Sequence, residues 1–137
     1  MIAVLLLVLA TAASADTGLP QAGGRFDGNW LTTIVCPAHG PAKGYTWQFY
    51  SQVHNGRLQG QYGTPGRPAS ATVTGQVQDS GVALLSAQGL SGDPDYTVNH
   101  QAQGLPFSYH IDARFEGARG SGKRQETRPC DITFARQ

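Results

Sequence analysis

From residue 26 onward the chain reads as short segments in which apolar and polar side chains alternate, the period-two signature of strands half-buried in a sheet. Residues 29–36 place Trp30, Thr32, Ile34 and Cys36 on one face. Residues 45–53 place Tyr45, Trp47, Phe49 and Val53 inward, against Thr46, Gln48, Tyr50 and Gln52. Asn55-Gly56 follows, a dipeptide that tolerates positive φ at both central positions of a two-residue hairpin turn, and Leu58, Gly60 and Tyr62 continue inward on a third strand. A fourth strand sets Ala71, Val73, Gly75 and Val77 against Thr72, Thr74, Gln76 and Gln78. It turns at Asp79-Ser80-Gly81 into a fifth at 82–89, whose inward face the pattern leaves open. The sixth is the clearest, Phe107, Tyr109, Ile111, Ala113 and Phe115 alternating with Ser108, His110, Asp112, Arg114 and Glu116. A glycine-rich seventh at 117–126 and an eighth at 130–136 complete the series, and no useful length has helical period.

The two cysteines say how the series closes. Setting Cys36 opposite Cys130 in antiparallel register puts Ile34 opposite Ile132, Thr32 opposite Phe134 and Trp30 opposite Arg136, all on one side of the sheet. A first strand paired with a last strand removes the exposed edges of an all-β chain. The expected architecture is therefore an eight-stranded antiparallel up-and-down barrel with a Cys36–Cys130 disulfide.

Connection lengths give the barrel two unlike ends. The turns near 55–56, 80–81 and 117–118 are tight, whereas the connections at 37–44, 63–69 and 90–105 are longer. In a meander alternate turns lie at opposite ends, so hairpins close one end and loops ring the other. Tyr45, Trp47, Tyr62, Phe107 and Tyr109 fall toward the loop-bearing end, with Tyr96 and His100 on the longest connection. Aromatic side chains around a concave mouth suit a small ligand. The same side chains could instead fill the interior as a packed core.

The first 25 residues are of another kind. An apolar run at 2–10, too short to span a bilayer, precedes the small-x-small site Ala13-Ser14-Ala15, so residues 1–15 read as a secretory signal peptide, although no Lys or Arg precedes the run. Residues 16–25, with four glycine or proline positions and no apolar period, read as a flexible arm, leaving 26–137 as one barrel domain. Export to the periplasm or the medium favours a disulfide over a metal or catalytic use of the cysteines.

Composition narrows the function. A formal charge of +1 with 14% charged residues lacks the basic excess that holds a phosphate backbone, and no nucleic-acid partner is expected. Arg114, Arg119, Lys123, Arg124 and Arg128 gather near the C-terminus but are interleaved with Asp112, Glu116, Glu126 and Asp131, which reads as a solvated strand face. His39, His54, His100 and His110 have no metal-ligand spacing, and Asp93, Asp95 and Asn99 lack the glycine and glutamate of a twelve-residue calcium loop. No nucleophile elbow, Walker or dinucleotide glycine motif occurs. The chain is expected to be no enzyme and to need no cofactor or metal.

Phe26-Asp27-Gly28-Asn29-Trp30 opens the first strand with a Gly-x-Trp. In this the chain resembles the calycin-type barrels, the lipocalins and avidins, in which a Trp on the first strand plugs the closed end. In lipocalins an Arg from a late strand stacks over it, and the resemblance implies that role for Arg136 over Trp30. The biotin-binding tryptophans of the later avidin strands have no counterpart, because Trp30 and Trp47 are the only two in the chain. The sequence is also similar to an uncharacterised domain of exported proteobacterial proteins. It resembles, more weakly, bacterial metalloprotease inhibitor barrels, whose N-terminal arm enters a protease cleft. Two functions are thus expected as alternatives: a monomeric, non-enzymatic module binding a small apolar or aromatic ligand at the mouth through Tyr45, Trp47, Tyr62, Tyr96, Phe107 and Tyr109, or a protease inhibitor acting through residues 16–25.

Overall fold

Eight strands form along the alternating segments: β1 (Gly28–Cys36), β2 (Tyr45–His54), β3 (Arg57–Tyr62), β4 (Ser70–Val77), β5 (Val82–Leu90), β6 (Pro106–Glu116), β7 (Arg119–Arg124) and β8 (Cys130–Arg136). The computed structural model describes residues 24–137, so the expected signal peptide and residues 16–23 of the arm lie outside the described residues. Each strand pairs with its neighbour in sequence and β1 pairs with β8, giving a closed antiparallel barrel. The β1–β8 seam has the register that the cysteines impose, with Trp30 opposite Arg136, Thr32 opposite Phe134 and Ile34 opposite Ile132. Cys36 and Cys130 are disulfide-bonded at its upper end.

β5 resolves the face that its sequence left open. Ala83, Leu85 and Ala87 are buried while Val82 and Leu84 are exposed. Apolar residues occupy both faces, so alternation is silent, and pairing decides: Gly75 stands opposite Leu85 and Val73 opposite Ala87.

The hairpin end is packed solid. Trp30 is fully buried, with Phe115 edge-on at 5.0 Å and Phe26 at 6.5 Å, and Phe134 lies 4.7 Å from Phe115. Burying each such ring contributes about 2 kcal/mol. Phe115 fits because Gly120 stands opposite it, where a β-carbon would lie 3.0–3.2 Å from three ring carbons. The residues leading into β1 then sew the turns together. Asp27 accepts hydrogen bonds from the Asn55 and Gly56 amides at 2.8 and 3.0 Å, and the Arg25 amide donates to Asp79 at 3.2 Å. Gly24 and Arg25, read from the sequence as the end of a loose arm, belong to a 3₁₀ turn, Gly24–Phe26, that packs under the barrel.

Candidate functional site

Above the core layer the inward positions of β2, β3 and β6 become aromatic, and the strands part around a cavity of about 510 Å³ at the loop-bearing end. Tyr45, Trp47, Tyr62, Tyr96 and Phe107 all line it. Trp47 and Tyr62 stack in parallel at 4.3 Å, Tyr45 tilts against Trp47 at 5.0 Å, and Tyr96 meets Tyr45 edge-on at 6.5 Å. All but Tyr96 are half-buried, so one part of each ring rests on the core and another faces the cavity. The two sequence readings of the interior therefore divide the barrel between them, a filled core below and an open cup above.

Tyr109 lies lower than the sequence places it. It is not part of the cavity lining and is 2% exposed, stacked under Phe107 at 5.9 Å with its hydroxyl unpartnered among the described residues. Burial, reinforced by the neighbouring Tyr45, pushes its hydroxyl well above the ordinary phenol range, and Arg124 offsets part of the rise. The hydroxyl is accordingly a neutral group at physiological pH.

Two arginines correct the reading of a solvated basic face. Arg128, only 2% exposed, donates to Tyr96 O at 2.9 Å, to Pro37 O at 2.5 Å and to Lys43 O at 3.2 Å. Those carbonyls belong to the β1–β2 and β5–β6 connections, so one guanidinium reaching from the β7–β8 connection holds three loops around the mouth. Its Nε has no partner among the described residues, and its carbon Cζ lies 5.4 Å from the Tyr45 ring. Burial draws its pKa below the ordinary arginine value, Tyr45 opposing that shift and Arg124 adding to it. Arg124, half-buried, lays its guanidinium on the Tyr109 ring at 3.9 Å and donates from Nε to Glu126 O at 3.1 Å. Both arginines line the cavity. Neither was legible as a site residue, because acidic residues surround them in sequence and their partners are backbone carbonyls and ring faces.

The long β5–β6 connection is held by hydrogen bonds within itself and by others from the neighbouring connections. Ser91 Oγ donates to Ala102 O and accepts from the Leu105 amide, drawing the two stems together, while the Lys43 amide donates to Asp95 O at 2.8 Å. Asp93 caps the 3₁₀ turn Pro94–Tyr96 by accepting from the Asp95 amide. Through that turn Tyr96 is presented at the rim. His100 sits on the same connection beside Asp95, at 3.7 Å and largely exposed.

Comparison of the chain with family models, with curated proteins and with solved structures gave no match in any of the three. The cup's own geometry must carry the functional reading. Among the described residues no group of three His, Cys, Asp or Glu side chains is placed to hold a metal ion, and no helix is long and apolar enough to cross a membrane.

Proposed function

We propose that this protein is an exported, non-enzymatic binding module, a calycin-like cup that takes a small apolar or aromatic ligand at its loop-bearing mouth. The observation that carries the reading is the aromatic-walled cavity of about 510 Å³, seated on a closed end that is fully packed. That volume lies within the range of small-molecule sites, and an aromatic lining with a few polar groups is their common composition. The disulfide supports an oxidising compartment, in keeping with the signal-like first 15 residues.

The two tryptophans make the test direct. Trp47 lines the cavity whereas Trp30 is sealed in the closed end. Titration with a neutral apolar probe, N-phenyl-1-naphthylamine, is expected to quench tryptophan fluorescence in the wild type and in Trp30→Phe, and to lose that quenching in Trp47→Phe. Equal quenching in both variants, or none in the wild type, would overturn the reading.

A further inference from the structure

The mouth holds two guanidinium groups that form no ion pair with a side chain among the described residues, Glu126 acting on Arg124 only from a distance. Among the described residues the ion pairs are Lys43–Asp95, His100–Asp95, His110–Glu126 and Lys123–Asp131, and none involves Arg124 or Arg128. Arg128 is held by carbonyl oxygens, which carry partial charge only, and it is buried with one N–H unpartnered. A buried guanidinium held by carbonyls alone gives the adjoining cavity a positive potential, which solvent entering at the mouth screens in part. Arg124 stands where such potential can be used. Its Nε is fixed by Glu126 O and its plane by the Tyr109 ring, so the fork that matches a carboxylate is oriented in advance on the cavity wall. Asp93 is the one acidic residue on the lining, and its Oδ1 accepts the Asp95 amide at the exposed rim.

We propose that the cup selects planar aromatic carboxylates, the ring entering beside Trp47, Tyr62 and Phe107 and the carboxylate meeting the Arg124 guanidinium. Arg128 acts behind it, supplying charge and loop order without needing to touch the ligand. This inference rests on the binding reading above and adds the ligand's charge to it. Aromatic rings give the wall its π-faces for a flat partner, and the two arginines, neither held in an ion pair, give the ligand its sign. The two features thus point to one chemical class.

The test compares 2-naphthoate with 2-naphthamide, nearly isosteric and differing in charge, by calorimetry at neutral pH and low ionic strength. The wild type is expected to bind the carboxylate about tenfold tighter than the amide, with the preference shrinking as salt is added. Arg124→Gln should abolish the preference while leaving the amide's affinity in place, and Arg124→Lys should restore part of it. Equal wild-type affinities for the two compounds would overturn the charge assignment and leave the cup standing. Binding of neither would overturn the cup reading itself. A preference unchanged in a folded Arg124→Gln would remove Arg124 as the carboxylate's partner.

Discussion

Arg136 is where the closed end is locked. Its guanidinium lies 4.7 Å from the Trp30 ring, while Nη1 donates to Asp27 O at 3.0 Å and Nη2 to Arg25 O at 3.2 Å. One planar group thereby covers the plug and holds the chain entering β1, and its stem packs over apolar surface that would otherwise meet water. Arg136→Ala is expected to destabilise the barrel by about 2 kcal/mol through lost stacking and the lost hydrogen bond to the part-buried Asp27 carbonyl, read as a lower urea midpoint. Arg136→Lys should lie between, because an ammonium keeps the charge but not the plane or the fork. A further residue-scale fit sits just above: Thr32 and Ser51, both buried, share a hydrogen bond of 2.7 Å, which satisfies two hydroxyls in an otherwise apolar layer.

At the scale of elements, β6 outruns its partner. Pairing with β7 covers Asp112 to Glu116 only, so the upper half of β6, which bears Phe107 and Tyr109, has no strand on that side. Glu126 continues the ladder with a side chain: Oε1 accepts from the His110 amide at 3.0 Å and from the His110 ring Nδ1 at 2.8 Å. These two hydrogen bonds hold the Glu126 carboxyl below its ordinary value of 4.5. A carboxylate whose pKa is lowered by folding stabilises the fold fully above its unfolded value and loses that stabilisation as pH falls through the folded one. Wild type is therefore expected to exceed Glu126→Gln in urea midpoint near neutrality, and the two should converge as pH drops through and below 4.5. A difference constant across that window would dissociate Glu126 ionisation from β6 order. Glu126 also shows why part of the site was not legible. Strands announce themselves by alternation, as β1, β2, β4 and β6 do, and the cysteines add the register of the seam. Residues 125–129 follow no period, and their roles arise only once closure brings them against β6 and the other loops. The same reason hid Arg128, whose partners are 32 to 91 residues away in sequence. Tyr109 was misplaced by its neighbours instead: it shares a strand face with Phe107 but stands one inward position deeper, where the interior is already full.

For the molecule as a whole, the seam between β1 and β8 is where the first and last strands of the described residues pair and close the barrel. Hydrogen bonds run along it from Trp30–Arg136 at the plug to Val35–Asp131 below the mouth, and the disulfide fastens the upper end across 94 residues. Cross-linking so long a loop stabilises the native state by up to about 4–5 kcal/mol, chiefly by restricting the unfolded chain. The bond also has a local consequence, because Pro37 follows Cys36 and Arg128 lies two residues before Cys130, and Arg128 donates to Pro37 O. Closing the seam thus brings the loop clasp together, and the cup's order follows from the barrel's closure. Cys36→Ser/Cys130→Ser, or reduction of the wild type, is expected to lower the urea midpoint by about 2 M, given a slope of about 2 kcal/mol per M for a domain of this size. Amide exchange should rise first at Val35 and Asp131 and last at Trp30, where the aromatic plug and Arg136 remain. Affinity for the mouth probe should fall with it, since the Pro37–Arg128 contact loses its covalent brace. Uniform loss of protection along β1 and β8 would show that the plug does not hold the seam alone, and an unchanged midpoint would show that the closed barrel needs no cross-link.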